Sequence, residues 1–168
     1  MKIRTAGAEE MLRLWGYRTV RDAPPTARFF YENIAAGNAV FWTVDRDGDL
    51  IGELYAFQKL ESDLDFADGS TTAYLCAFRI RQDCRGQGLG SRLMEAAAAD
   101  LRSRGFRYAT IGVGCEEERN QRLYFRLGFT EKRKACLFDP CAMDETMRPR
   151  ADRFLLLARD LDSPPPRT

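Results

Sequence analysis

The stretch that most constrains the fold runs from Thr71 to Ser91. Its first half, TTAYLCAFRI (71–80), carries apolar residues at both parities. Successive side chains of a strand point to opposite faces, so the pattern predicts a strand buried on both sides. The second half, Arg81-Gln82-Asp83-Cys84-Arg85-Gly86-Gln87-Gly88-Leu89-Gly90-Ser91, is rich in glycine. From 88 to 104 the pattern is helical: Leu89, Leu93, Ala97 and Leu101 form one apolar stripe. A strand, a glycine-rich loop and a helix in that order aim unpaired backbone N–H groups, and the positive end of the helix dipole, at one point. An anion such as a pyrophosphate fits there, because glycine lets its oxygens approach the backbone.

The remaining elements follow from periodicity and punctuation. Residues 1–5 predict a short strand, and 8–15 a helix that Gly16 stops. Pro24-Pro25 opens a second helix, about 26–36, which Gly37 ends. AVFWTVD and LIGELYAFQK flank Arg46-Asp47-Gly48-Asp49 and predict a hairpin. RYATIGV (107–113) reads as a strand and 117–127 as a helix capped by Gly128. FTEKRKACLF and DRFLLLARDL read as two closing strands. The order β-α-α-β-β-β-α-β-α-β-β implies an α/β (α+β) fold, a mixed sheet with helices on its faces. One domain is expected over 1–161, followed by a disordered tail, 162–168, with its Ser163-Pro164-Pro165-Pro166 run.

Composition removes several chemistries. The chain holds no histidine, which excludes Ser-His and Cys-His nucleophiles, most zinc hydrolase sites and the usual general base. The five cysteines, Cys76, Cys84, Cys115, Cys136 and Cys141, include no C-x-x-C pair, so neither a metal site nor a disulfide framework is expected. Cys76 is expected to be a small buried core residue. A formal net charge of +1 and the lack of a Lys/Arg run give no nucleic-acid signal. No apolar run reaches transmembrane length, and MKIRTAG lacks the apolar core of a secretory signal. A reduced, cytoplasmic setting without a membrane partner is expected, and a homodimer is left open.

Three kinds of phosphate loop compete for Arg85–Ser91. A P-loop needs Gly-Lys-Ser/Thr, whereas Gly90 is followed by Ser91-Arg92. The dinucleotide fingerprint G-x-G-x-x-G would place its third glycine at Ser91. What remains is Arg85-x-x-Gly88-x-Gly90. Downstream come a strand (107–113), a short helix with Leu123-Tyr124, and Gly128-Phe129. This pattern resembles the GCN5-related N-acetyltransferase (GNAT) family, specifically over 71–130 and in element order over most of the chain.

The resemblance implies an acyl-CoA N-acyltransferase fold: a twisted, mostly antiparallel sheet of six to seven strands, flanked by about four helices. Two parallel strands splay at its centre. It implies acetyl-CoA as acyl donor, an amine acceptor of small-molecule or peptide type, and no metal. The pantetheine arm is expected along Phe78, Arg79, Ile80 and Gln82, with the N–H of Phe78 or Ile80 polarising the thioester carbonyl. The pyrophosphate is expected on Arg85, Gly86, Gln87, Gly88, Leu89, Gly90 and Ser91. Tyr124 matches the tyrosine that protonates the departing thiolate. The family often has Asn seven residues before that tyrosine; here Glu117 stands there, and Asn120, one helical turn from Tyr124, is the candidate contact. Glu53, mid-strand in LIGELY, is the candidate base or water-positioner. The acidic stretch Glu61–Asp68 reads either as a solvated loop or as a border that attracts a cationic amine, and the segment Asp139–Arg150 is expected to wall the acceptor site. A CoA-binding sensor without turnover is the competing reading.

Overall fold

The computed structural model describes residues 1–166. The elements are β1 (Lys2–Ala6), α1 (Ala8–Leu14), α2 (Pro25–Ala35), β2 (Ala39–Arg46), β3 (Asp49–Phe57), β4 (Thr72–Ile80), α3 (Leu89–Ser103), β5 (Tyr108–Val113), α4 (Glu118–Arg126), β6 (Glu131–Met143) and β7 (Pro149–Asp160). The expected order and element types are those found. The strands form one sheet, ordered β1-β2-β3-β4-β5-β7-β6. All neighbours are antiparallel except β4 and β5. Part of the expected tail, residues 167 and 168, lies outside the described residues; Leu161 still packs in the core and Asp162 bonds back to Asp160.

Two apolar layers hold the sheet, as a strand buried on both faces requires. One is aliphatic: Leu89, Leu93, Met94, Ala97 and Leu101 of α3 pack on Leu54, Leu75 and Ile111. The other is aromatic: Phe30 of α2 packs on Phe41, Tyr55 and Phe57, with Phe66, Tyr74 and Phe154 further along. There Phe30 meets Tyr55 edge-on at 5.1 Å and Phe41 stacks on Tyr55 at 4.7 Å, geometries that suit the quadrupoles of the rings.

Three details position the site. First, β4 and β5 pair only from Thr72–Tyr108 to Leu75–Ile111, although β4 continues to Ile80 and β5 to Val113. The pair therefore opens into a gap. Secondly, β4 bulges just past that point. Tyr55 faces Cys76 and Glu53 faces Arg79, so Leu54 opposes both Ala77 and Phe78, and Ala77 has φ +50. A left-handed alanine is a strained conformation that the surrounding sheet must impose. Thirdly, the end of α4 is locked from below. Arg159 is only 2% exposed and makes a two-pronged ion pair with Glu95 of α3, at 2.9 and 3.2 Å. A Cβ on Gly128 would come within 3.0 Å of that arginine. The glycine thus ends α4 and lets the chain turn close over Arg159.

The closing hairpin is longer than expected, and β7 starts at Pro149 rather than at Asp152. β6 runs on to Met143, through Asp139 and Pro140, where the sequence predicts a strand ending at Phe138 and a connecting segment. Proline argues against a central strand because it cannot donate to a ladder. β6 is an edge strand with three register irregularities, so Pro140 needs no partner there.

Candidate active site

The glycine-rich loop closes β4 with a short 3-10 turn, Gln82–Cys84, and then enters α3. Buried Cys84 pins the turn, with Arg46 and Arg81 guanidinium groups 3.6 and 3.9 Å from its sulfur. Gly88 caps α3 at φ +77, a conformation L side chains rarely adopt. Among the described residues the N–H groups from Gly86 to Ser91 donate no hydrogen bond. They form a ready anion cradle at the positive end of a fifteen-residue helix. Added Cβ atoms on Gly86 and Gly88 would meet nothing within 4 Å, so open space lies in front of the loop.

That space is a cleft of about 510 Å³ lined by Phe78, Arg79, Ile80, Cys84, Arg85, Gly86, Gly88, Leu89, Gly90 and Ser91 on one side and by Arg119, Asn120, Leu123, Tyr124 and Leu127 on the other. Arg81 donates its N–H to Ile51 of β3 at 2.8 Å. Strand polar groups alternate sides, so Phe78 and Ile80 turn their N–H groups to the open side of β4. The carbonyl of Ile80 accepts a bond from Arg85 Nε at 2.9 Å, which braces the loop on the strand end. Open backbone on one strand, followed by an anion cradle, fits an extended arm that ends in a pyrophosphate.

Tyr124 hangs from α4 into this cleft, its ring 6.5 Å from Phe78 and 6.3 Å from Phe129. Its hydroxyl makes no hydrogen bond among the described residues. Burial, and then the nearby Glu117 carboxylate, raise its pKa above that of a free phenol. It therefore stays protonated at neutral pH and can give a proton to a group that becomes basic beside it. Asn120 lines the cleft from one turn earlier, but its amide is engaged by Glu117 at 2.7 Å. Two expected residues fall outside the cleft lining. Gln82 starts the 3-10 turn and lines a smaller recess behind β4, and exposed Gln87 sits at the loop apex.

A second, larger cavity of about 660 Å³ lies across the bulge. Its walls are Leu14 at the end of α1, Trp15 and Tyr17 after it, Thr26 and Phe30 of α2, Glu53, Cys76, Ala77, Arg79, and Asp139, Cys141 and Ala142 of β6. Arg79 lines both spaces, so they meet at the strained turn of β4. Glu53 Oε1 accepts from Trp15 Nε1 and from the Tyr55 hydroxyl, both at 2.9 Å, and from Arg79 at 3.3 Å. The Arg79 guanidinium also lies 5.8 Å from the Trp15 ring centre. Arg79, expected on the donor side, thus spends its side chain on the other.

Sequence reasoning missed Trp15, Tyr17, Thr26 and Phe30, because nothing local marks the end of an amphipathic helix as a cavity wall. It placed a wall at 139–150; only Asp139, Cys141 and Ala142 of that segment serve. Cys76 is a correction: it is half-buried and faces the cavity, because the bulge after it opens the sheet. The acidic stretch does not border this space. Asp63 and Asp65 clamp Lys134 of β6 at 2.7 and 2.9 Å, while Asp68 accepts the N–H groups of Ser70, Thr71 and Thr72. Among the described residues no group of His, Cys, Asp and Glu is placed to hold a metal, and no helix is long and apolar enough to cross a membrane.

A sheet opened between two parallel strands, with an anion cradle at one end of the gap, defines the acyl-CoA N-acyltransferase architecture. Solved structures share it. Arabidopsis thaliana NAA60 in complex with acetyl-CoA has 17% identity and a TM-score of 0.66 over 96% of this chain and 99% of that one. The N-acetyltransferase from Staphylococcus aureus Mu50 has 13% identity and 0.64 over 95% and 98%. A spermidine N-acetyltransferase chimera of Vibrio cholerae SpeG and hSSAT has 12% identity and 0.64 over 96% and 97%. Among curated proteins none matches the sequence. The acetyltransferase (GNAT) family profile matches residues 8–129, more than half of the chain, and the chain belongs to that family.

Proposed function

We propose that this acetyltransferase moves an acetyl group from acetyl-CoA directly to a primary amine of a small molecule or peptide. The observation that carries the reading is the meeting of two spaces at the β4 bulge: a backbone-lined cleft that holds Tyr124 and a side-chain-lined cavity that holds two carboxylates. In the cleft, the N–H groups of Gly86–Ser91 hold the pyrophosphate, and Phe78 and Ile80 offer theirs to the pantetheine arm and the thioester oxygen. The Tyr124 hydroxyl gives its proton to the departing sulfur. Glu53, fixed by Trp15, Tyr55 and Arg79, is a stationary negative point that draws an ammonium group into the cavity. Aromatic Trp15, Tyr17 and Phe30 suit an amine carried on an apolar or aromatic body. The domain is taken to span 1–161. Five free thiols, three of them buried, suit a reducing, cytoplasmic setting.

The test is thiol release from acetyl-CoA across polyamines, aryl-alkyl amines and peptides with free N-termini. An amine-dependent rate is the expected result. Acetyl-CoA binding without any amine-dependent thiol release would support the sensor reading instead.

A further inference from the structure

We propose that Asp139, rather than Glu53, takes the proton from the acceptor amine. The inference rests on the acetyltransferase reading above and assigns the one chemical role in it that this histidine-free chain leaves open.

Three observations carry it. Asp139 lines the acceptor cavity and also a recess formed by Tyr74, Gly112, Val113, Gly114 and Phe154 at the end of β5. It is the carboxylate shared by the two spaces, and so borders the mouth of the β4–β5 gap. Glu53 is committed: three donors share its Oε1, and one is the Arg79 cation. Asp139 has no such cation. Among the described residues no Lys or Arg stands within ion-pair distance of it, not even Arg150, its register partner on β7. Its carboxylate is instead oriented by the backbone N–H of Cys141, at 2.9 Å. That bond aims the group without a charge that would keep it ionised.

The surroundings set its proton affinity. Burial raises the pKa above the ordinary aspartate range, against the pull of the neighbouring backbone N–H groups, and Asp152 of β7 adds to the rise. β4 presents Tyr74 and Cys76, and β6 presents Cys141; the pKa of Tyr74 and that of Cys141 are both pushed up by burial, so neither supplies negative charge. Glu117 and Arg153 line the outer recess and offset each other in sign. Tyr17, Glu53 and Arg79 face Asp139 across the cavity, the last two as a closed pair.

The proton balance is complete. The ammonium gives one proton to Asp139, and the freed lone pair bonds to the acyl carbon. The C–S bond breaks, and the sulfur takes the Tyr124 proton. The nitrogen loses its second proton to water, and water restores Tyr124. Asp139 returns its proton to solvent through the open cavity.

The experiment has two arms on the full chain. The first is carboxyl 13C NMR of the protein without acetyl-CoA, with the Asp139 signal assigned by its loss in Asp139→Asn. Its midpoint is expected above the ordinary aspartate value of about 3.9. The second is the pH profile of kcat/KM with the best amine found. Activity falls as pH drops through the Asp139 midpoint, because a protonated carboxyl cannot accept. In Asp139→Asn that acidic limb is lost and kcat drops on the order of 100-fold; Asp139→Glu restores part of both. Asp152→Asn removes a repulsion from outside the cavity, so the limb shifts to lower pH with the maximal rate kept. All variants are expected to keep their thermal shift with acetyl-CoA, which shows that they fold. A limb that survives in Asp139→Asn, or that moves with Glu53→Gln, overturns the assignment. So does an Asp139 midpoint at or below the ordinary value. Absence of thiol release with every amine overturns the acetyltransferase reading and this role with it; the NMR midpoint distinguishes that failure from a misplaced base.

Discussion

The cleft proposed for the donor is made largely of backbone, and the cavity proposed for the acceptor is made of side chains. The cleft presents unbonded N–H groups from Gly86 to Ser91 and the open side of β4; glycines there leave room. The cavity is lined by Trp15, Tyr17, Phe30, Glu53, Asp139 and Cys141, drawn from four separate parts of the chain. A ligand held by backbone can stay constant while sequences drift. A ligand held by side chains changes with each substitution. The two regions should therefore break in different ways.

The largest effect is expected at the loop. Gly88→Glu places a Cβ and a charge at a residue with φ +77 that caps α3. The charge opposes the pyrophosphate where the helix dipole attracted it. Acetyl-CoA at 100 times its dissociation constant stabilises a fold by about 2.7 kcal/mol, so wild type should show a clear thermal shift and Gly88→Glu none. Trp15→Ala, on the acceptor side, should keep the full shift. Equal losses in both variants would erase the division between the regions.

Tyr124→Phe comes next and splits binding from turnover. The ring packing with Phe78 and Phe129 survives, while the proton is removed. Turnover should fall on the order of 100-fold, with the dissociation constant of acetyl-CoA, measured by calorimetry, almost unchanged. Undiminished turnover would take Tyr124 out of the acid role.

The same division explains what the sequence made legible. The loop from Arg85 to Gly90 is contiguous, so one motif carries the whole cradle, and periodicity alone exposes the doubly buried strand before it. The place of Tyr124 on the cleft was readable because Leu123, Leu127 and Gly128 fix the phase of its helix. The acceptor cavity has no such contiguity. Cys76 faces it only because β4 bulges, and the bulge is written in no single residue: an ordinary alanine, Ala77, takes the left-handed turn. β6 extends past Pro140 because its place at the sheet edge relaxes a rule that the sequence suggested. The acidic stretch could be read as bait for an amine until the fold brought Lys134 onto it.

On the acceptor side, Glu53→Gln keeps the shape of the cavity and removes one of its two carboxylates. The Michaelis constant for a cationic amine should rise about tenfold, equivalent to about 1.4 kcal/mol, while the acetyl-CoA shift stays as in wild type. A neutral competitor such as an aryl alcohol should bind both proteins alike. If instead acetyl-CoA binding weakens, the Glu53–Arg79 pair is coupled to the cleft through β4, and the two regions are less separate than their walls suggest.

The smallest effect is the most discriminating for the donor side. Gly90 sits in the first turn of α3 without a left-handed φ, so alanine is conformationally allowed there. Its Cβ would lie 3.2 Å from Phe78 Cζ and 3.7 Å from Ile80 Cγ1. Alanine favours the helix by up to about 1 kcal/mol over glycine, and the crowded Phe78 ring gives back part of that gain. The melting temperature should therefore move by no more than about 4 °C. The ring is expected to yield by turning toward the open side, into the cleft proposed for the pantetheine arm. Gly90→Ala should weaken acetyl-CoA several-fold with stability nearly unchanged, whereas Gly88→Glu abolishes binding outright. Unchanged acetyl-CoA affinity in Gly90→Ala would mean that Phe78 moves away from the arm, and that the cleft is held open by the loop backbone alone.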